Sequence, residues 1–407
     1  MTTTDKSAVI KTAATEAAVR DTIPSPCYVV YEDRLRANLD LISSVARDAG
    51  VKIIMAFKAN ALWRTFPVLR EYGIECTASS LNELRLGREE LKARVHTYCP
   101  AYTPETIGEY LAGSSHITFN SLSQWKRFKE DVQRFNDANP QSAVSPGLRV
   151  NPRCSVVETE IYNPALPGSR FGVTADRIGD RLPEGIEGLH FHALCESSSH
   201  DLAKVLEAFE AQFGRYLPQV KWVNMGGGHL MTRKGYDTAH LTELLKGFRS
   251  RYPWLEVVLE PGSAFTWRTG DLISTVVDIV ENDGIKTAIL DVSFACHMPD
   301  CLEMPYKPAV SEAIPEEEAA SEADGETYTY RFGGNSCLSG DFMGDWRFRH
   351  PLAIGDRLTF EDMNHYTTVK TNMFNGIQHP SIAFVRSDGQ TEMLRVFTYE
   401  DYKNRMS

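Results

Sequence analysis

Between residues 51 and 260 the chain repeats one pattern, in which a short apolar, β-branched run is followed by an amphipathic helical stretch. The candidate strands are VKIIMAF (51–57), GIECTA (73–78), VHTYC (95–99), HITF (116–119), GLRVN (147–151), IEGLHF (186–191), KWVNM (221–225) and EVVLE (256–260). Strands that alternate with helices form parallel sheets. Eight such units in roughly 200 residues predict a closed (β/α)8 TIM barrel, with a doubly wound open sheet as the alternative.

The pattern changes after residue 270, where candidate strands follow one another without long helices. They are STVVDIVEND, IKTAILDVS, TYTYRFGG, RLTFEDM, HYTTVKT, PSIAFVRSDG and TEMLRVFTYE. This predicts a C-terminal antiparallel β domain, so that the fold class is α/β plus β. We expect an N-terminal arm at 1–25, the barrel at 36–272, and the β domain at 26–35 and 273–407.

The charge composition indicates which classes of partner the protein can bind. The chain has 407 residues, with 43 Lys and Arg against 54 Asp and Glu, giving a net charge of −11. Seven of the acids lie in the run 311–326, which we expect to be a solvated loop. An acidic protein repels phosphate backbones and anionic membranes, so we expect no nucleic acid and no membrane partner, and favour a small cationic molecule.

The location is predicted from what the sequence lacks. No apolar run approaches the ~18 residues that a membrane span needs. The N-terminus has no apolar core of a secretory signal, and Asp5 and Glu16 argue against a transit peptide. The eight cysteines form no CxxC pair, which favours reduced thiols. We therefore expect a cytoplasmic protein.

In a (β/α)8 barrel, the chemistry gathers at the C-terminal ends of the strands. The candidates at those ends are Lys58, Ser79, Ser80, Glu83, Asn120, Arg149, Asn151, His192, Gly226, Gly227, Gly228, Glu260 and Gly262. Lys58 follows the first strand. It is either a surface lysine that extends from the rim or an amine placed to form a Schiff base.

The glycines favour the second interpretation of Lys58. Gly226 to Gly228 follow the seventh strand and Gly262 follows the eighth, where barrels commonly bind phosphate. A phosphate-bearing cofactor with an aldehyde for a lysine is pyridoxal 5′-phosphate. Glu260 would then face the pyridine nitrogen, and His192 would stack on the ring unless it is an ordinary core histidine.

A metal site is not expected. Cys296, His297 and Cys301 lie close together in the sequence, but no second ligand cluster matches them.

Several longer stretches resemble a known family. The AFKAN lysine with the FH, GGG and EPG motifs resembles the fold type III pyridoxal phosphate enzymes, which have the alanine racemase-like fold. The resemblance is closer to the carboxynorspermidine (carboxyspermidine) decarboxylases, through CTASSLNELRLGRE, FNSLSQW, GLHFHALCE, WVNMGGGHL, LDVSFACHMPDCLEMPYKP, GGNSCLSGDFMG and FNGIQHP. These stretches cover most of residues 25–380.

The resemblance implies a role for each matching residue. Lys58 would bind the cofactor, His192 would stack on its ring, and Glu260 would contact its nitrogen. The phosphate contacts would be Gly226, Gly227, Gly228, Gly262 and Tyr366. Cys337 and Asp341 would be catalytic and would reach the active site of the partner subunit in a homodimer. The substrate would contact Asp291, Glu260 and Asp341. Ser263 stands where ornithine decarboxylase-like chains often have an arginine, so one cationic phosphate contact is missing.

The implied function is pyridoxal phosphate-dependent decarboxylation of carboxynorspermidine or carboxyspermidine to norspermidine or spermidine in polyamine biosynthesis. The alternatives are a related decarboxylase for diaminopimelate, ornithine or a natural-product precursor, a racemase, and a catalytically inactive regulator with the same fold.

Overall fold

The computed structural model describes residues 15–157, 160–304, 306–319 and 326–407. The chain divides into two compact units. The barrel unit is Arg36–Phe265, and the sheet unit combines the described part of Met1–Leu35 with that of Thr266–Ser407.

A parallel sheet forms the centre of the barrel unit and closes on itself. Its strands are, in order, Lys52–Ile53 with Met55–Ala56, Cys76–Ala78, Val95–Tyr98, His116–Phe119, Ser145–Arg149, Gly188–His190, Trp222–Asn224 and Glu256–Leu259. The first strand is interrupted at Ile54. Its first half pairs with the eighth strand and its second half with the second strand. The prediction of a closed eight-fold barrel is thereby confirmed, and the open sheet is excluded.

Side chains fill the barrel interior. The indole of Trp222 lies over Gly147 and Gly188 on the two preceding strands, where a Cβ would come within 2.2 Å and 2.0 Å of its ring. Both glycines are therefore needed for the indole to fit. The ring edge also meets His116, with the ring centroids 5.3 Å apart.

Helices follow the strands as the periodicity predicts. They are Glu32–Ala49, Phe66–Glu71, Leu81–Leu86, Ile107–Gly113, Leu122–Ala138, Ser199–Phe213, Thr238–Arg251 and Ser263–Thr266. Polar side chains cap several N-termini. Ser121 accepts from the amide of Gln124, and Ser198 forms a capping box with Asp201. These caps fix where the chain turns from a strand end into a helix.

The sheet unit has the strands Cys27–Tyr31, Gly270–Asn282, Ile285–Leu290, Tyr328–Gly333, Phe342–Phe348, Arg357–Phe360, Ser381–Val385 and Thr391–Arg395. Most neighbours pair antiparallel, as predicted. Two pairs are parallel, Cys27–Tyr31 with Ser381–Val385 and Ile285–Leu290 with Tyr328–Gly333. The described short helices are 15–22, Phe294–His297, Asp300–Glu303, Glu316–Ala319 and Tyr399–Met406.

Several expectations for this unit were wrong in detail. The stretch HYTTVKT (365–371) forms turns rather than a strand, and Phe342–Phe348 is a strand that the pattern did not predict. The last predicted strand ends at Arg395, before the helix Tyr399–Met406.

The acidic run 311–326 is not solvated throughout. Glu312 accepts hydrogen bonds from the amide and hydroxyl of Thr359, and Ile314 is buried. Residues 320–325 lie outside the described residues.

The N-terminal arm also packs in part. Val19 and Ile23, from the helix at 15–22 and the turn after it, belong to a buried cluster with Val29 and Ile273. The barrel unit ends at Phe265, whereas we expected its boundary after residue 272. The boundary lies earlier because the strand Gly270–Asn282 belongs wholly to the sheet unit. Among the described residues, no helix is both long and apolar enough to cross a membrane.

Candidate active site

Lys58, His192 and Glu260 come from the ends of the first, sixth and eighth barrel strands, and the charges of Lys58 and Glu260 act on each other and on the imidazole of His192. Solvent reaches the Lys58 side chain, yet the surrounding protein desolvates it enough to lower the pKa of its amine. Glu260 opposes this shift and Arg149 reinforces it. A lysine with a lowered pKa has more neutral amine available as a nucleophile.

The sixth and seventh barrel strands supply partners for the carboxylate of Glu260. Nδ2 of Asn224 donates to Oε2 over 3.0 Å, and Nε2 of His190 lies 3.1 Å from Oε1. Burial would raise the pKa of Glu260, but His190, Asn224 and Lys58 outweigh it, so the pKa lies below its ordinary value. Glu260 is therefore a fixed negative charge at neutral pH.

The glycine loop after the seventh strand packs closely against its neighbours. A Cβ on Gly226 would lie 2.5 Å from the carbonyl oxygen of Phe191, and one on Gly228 would lie 2.4 Å from that of Leu194. Gly226 donates its amide to Oδ1 of Asn224, and Gly227 donates its amide to Nδ1 of His192. Of the three phosphate contacts predicted in this loop, Gly228 is thus the one whose amide we expect to be available.

Two more strand-end residues shape this mouth. Arg149 is buried between the rings of Tyr98 and Phe171, with 4.5 Å from its guanidinium carbon to each centroid. Burial lowers the pKa of His192, and the cations Lys58 and Arg149 lower it further, so the imidazole is neutral. A neutral ring can lie against a flat cofactor without adding positive charge.

The remaining strand-end candidates serve local structure. Ser80 caps the helix Leu81–Leu86, and the carboxylate of Glu83 accepts from the amide of Ser79. Asn120 and Asn151 hold the segment that follows the fifth strand, through the carbonyls of Arg170 and Phe171 respectively.

The barrel mouth fits pyridoxal phosphate in its donor chemistry. Lys58 matches the aldehyde, the carboxylate of Glu260 matches the ring nitrogen, and the side-chain-free loops match the phosphate. Gly262 packs closely against the residue after Lys58, since a Cβ there would lie 2.4 Å from that of Ala59. No group of three potential metal ligands occurs within the described ranges.

The other predicted site residues lie on three loops of the sheet unit that are bonded to one another. Oδ1 of Asp341 accepts from the amide of Ala295, and Oδ1 of Asn375 accepts from the amide of Cys337. The third loop, which carries Asn375, also includes Tyr366, with a φ of +53°. This conformation is strained for an aromatic residue and is often found at functional sites.

Asp291 and Asp341 are both occupied by donors of their own unit. Oδ1 of Asp291 accepts from Ser274 and Thr275, and its Oδ2 accepts from Ser25. Asp341 is buried and also accepts from the amide and hydroxyl of Ser336. Asp341 therefore holds the turn that carries Cys337, and a substrate contact by either aspartate stays a prediction.

Sequence reasoning missed His190 and Asn224 as partners of Glu260. Each lies two residues before a predicted site residue, His192 or Gly226. Alternate residues of a strand share a face, so the period of two could have found them. It could not have shown that both converge on one carboxylate.

Comparisons with known proteins show the family of the chain. Residues 27–364 match the family model described as "Pyridoxal-dependent decarboxylase, C-terminal sheet domain". The chain is 47% identical to the carboxyaminopropylagmatine decarboxylase of Synechocystis, over 94% of this chain and 96% of that one. It is 41% identical to the carboxynorspermidine/carboxyspermidine decarboxylase of Campylobacter jejuni, over 94% and 98%.

A solved structure gives the same result. The crystal structure of the Campylobacter jejuni carboxynorspermidine decarboxylase, complexed with norspermidine, matches 94% of this chain and 100% of its own. The TM-score is 0.84 and the sequence identity is 40%. The family model and these relatives place the chain in a class of pyridoxal phosphate enzymes that release carbon dioxide. The chain belongs to the pyridoxal-dependent decarboxylases.

Proposed function

We propose that the chain decarboxylates a carboxylated polyamine, either carboxynorspermidine or carboxyspermidine, to form norspermidine or spermidine. The observation that carries this proposal is the near-complete match to a decarboxylase whose crystal structure holds norspermidine. The net charge of −11 suits a substrate with several ammonium groups.

The chain's own residues divide the work in this proposal. When bound, pyridoxal phosphate supplies an aldehyde for amines and a ring that takes up the electron pair left by the departing carboxylate. Lys58 presents the amine that retains the cofactor, and Glu260 holds negative charge for its ring nitrogen. His192 presents a neutral face to the ring. Gly228, Gly262 and Tyr366 are the proposed phosphate contacts.

The carbon that loses its carboxylate must take up a proton. We assign this to the thiol of Cys337 of a partner subunit in a homodimer. Cys337 is exposed in the single chain, next to the exposed apolar side chain of Leu338. Phe374, beside the Asn375 that bonds to Cys337, is also exposed. Exposed apolar groups around a reactive residue favour an interface there.

A second candidate substrate is carboxyaminopropylagmatine, because a relative of that name is 47% identical to this chain. Agmatine ends in a guanidinium, which is planar and offers a fork of donors, whereas spermidine and norspermidine end in a compact ammonium. A pocket that fits one group is poorly matched to the other, so the two candidates can be separated.

The test is a comparison of kcat/KM for the three carboxylated compounds on one enzyme preparation, with diaminopimelate and ornithine as controls. We expect carboxynorspermidine and carboxyspermidine to differ modestly, since one methylene discriminates by only about 1–3 kcal/mol. A strong preference for the guanidinium compound would replace our first candidate with the second. Turnover of diaminopimelate or ornithine alone would overturn both. A cytoplasmic location and the absence of a nucleic-acid partner remain predictions from the sequence.

A further inference from the structure

The barrel holds a buried histidine next to the carboxylate of Glu260. His190 ends the sixth strand and is 1% exposed. Its Nε2 lies 3.1 Å from Oε1 of Glu260, although off the ideal direction of a hydrogen bond. Its Nδ1 has no hydrogen-bond partner within the part of the chain that the structure describes.

The ring nitrogens of buried His229 also lack partners among the described residues, but His190 differs in that its Nε2 lies beside a carboxylate. Buried polar atoms are nearly always hydrogen-bonded, and an exception calls for an explanation. The imidazole makes an edge-to-face contact with the ring of Tyr98, with 5.4 Å between centroids, while one of its nitrogens faces a carboxylate. Catalytic hydrogen bonds are often misaligned in ligand-free enzymes and tighten when the site is filled.

The charge states fit a positioning role. Burial lowers the pKa of His190 despite the neighbouring Glu260, so the imidazole is neutral at neutral pH. The pair therefore keeps a net charge of −1. A neutral donor can orient the carboxylate without cancelling the negative charge that a protonated ring nitrogen requires.

We propose that His190 is a positioning residue of the decarboxylase, which donates from Nε2 to Glu260 and directs that carboxylate at the ring nitrogen of the cofactor. Asn224 holds the other oxygen, so His190 and Asn224 fix the carboxylate from both sides. The inference rests on the proposed function in one respect, because it requires Glu260 to face that nitrogen.

The test uses two cofactors that differ only at the ring nitrogen, pyridoxal phosphate and its 1-deaza analogue, in which a CH group replaces the nitrogen. Their dissociation constants from apoprotein are measured for wild type, His190→Phe, His190→Gln and Glu260→Gln. We expect His190→Phe to weaken binding of the natural cofactor about ten- to a hundredfold, while the analogue changes less than about twofold. His190→Gln, whose amide nitrogen can replace Nε2, should retain most of the affinity.

A second readout reports the ring directly. With ¹⁵N-labelled pyridoxal phosphate, the chemical shift of the ring nitrogen should move toward the unprotonated value in His190→Phe and Glu260→Gln, but not in His190→Gln. In the Glu260→Gln background, His190→Phe should add little, because both act through one carboxylate. His116→Phe, at the opposite end of the barrel strands, is the matched control and should leave the shift unchanged.

The outcomes separate the positioning role of His190 from the proposed placement of Glu260 at the ring nitrogen. If His190→Phe weakens both cofactors equally, His190 is a packing residue and the inference fails. If Glu260→Gln also fails to distinguish the cofactors, Glu260 does not face the ring nitrogen and that part of the proposed function fails. Should the Phe variant not fold, His190→Asn, whose amide is too short to reach Glu260, replaces it under the same criteria.

Discussion

The backbone amide of Gly227 donates a hydrogen bond to Nδ1 of His192, with 3.0 Å between the two nitrogens. This bond joins the loops after the sixth and seventh barrel strands and places the imidazole proton on Nε2. The loop can approach so closely because Gly227 has no side chain. A Cβ there would lie 2.4 Å from the carbonyl oxygen of Glu260.

We therefore expect Gly227→Ala to disrupt the site. The added methyl group must displace backbone, and overpacking of this kind costs about 1–3 kcal/mol of unfolding free energy. Urea unfolding and cofactor content measure the two effects. Gly214→Ala is the control, because nothing lies within 4 Å of a Cβ at that glycine. If Gly227→Ala binds cofactor as well as Gly214→Ala, the loop does not require a glycine there.

Lys58→Ala should abolish covalent cofactor binding and nearly all turnover. The amine of Lys58 has a pKa lowered by desolvation and lies at the end of the first strand. The measurement is the visible absorption band of the bound cofactor and its bleaching by borohydride. Lys246→Ala, which removes a surface lysine paired with Glu243, should match wild type. An intact band and near-normal activity in Lys58→Ala would exclude this lysine as the attachment point.

Acid should destabilise the barrel through His116. Burial lowers its pKa to about 4, and its ring stacks on His96 with 4.0 Å between centroids. Because the pKa is depressed in the folded protein, the unfolded chain binds the proton first as the pH falls. The contribution of neutral His116 to the unfolding free energy is therefore complete above about pH 6.5 and is lost as pH falls toward 4. Between about pH 7 and pH 5, wild type should lose about 2 kcal/mol more unfolding free energy than His116→Phe. Urea unfolding at both pH values checks this, and equal losses would contradict it.

The barrel could be predicted from the sequence because its strands are short apolar runs at regular intervals. Phe342–Phe348 could not, since its sequence includes Gly344 and Asp345 and only Trp346 and Phe348 are buried. The reverse error occurred at HYTTVKT, where β-branched residues suggest a strand but Tyr366 has a positive φ. An alternating sequence pattern predicts a strand only where one face of that strand is buried. The structures of these two segments are decided by tertiary contacts instead.

The candidate site also has residues that the sequence could predict and contacts that it could not. Lys58, Glu260 and the glycines could be predicted because strand ends in a barrel meet at one mouth. The contacts of Asp341 could not, because its bond to Ala295 joins two loops that are distant in the sequence, and its bond to Ser336 depends on the turn between them in the chain. Those bonds make Asp341→Ala a test of the turn that carries Cys337 as well as of chemistry.

The proposed sharing of active sites between subunits predicts a pattern of complementation. Lys58→Ala and Cys337→Ala homodimers should each be impaired. After random subunit exchange, about half the dimers are hybrids. If Cys337 acts across the interface, each hybrid has one site with both wild-type residues, so activity should recover to roughly a quarter of wild type. If both residues act within one chain, no hybrid site is complete and none returns.

The double variant Lys58→Ala/Cys337→Ala, mixed with wild type in equal amounts, is the reciprocal control. Across the interface, every hybrid site lacks one residue, so activity comes from the wild-type homodimers alone and is about a quarter. Within one chain, each hybrid keeps one complete site and activity approaches a half. Subunit exchange is confirmed separately with a tag on one chain. A quarter in both mixtures would place the catalytic centre between two chains, whereas none in the first and a half in the second would assign Cys337 to its own subunit.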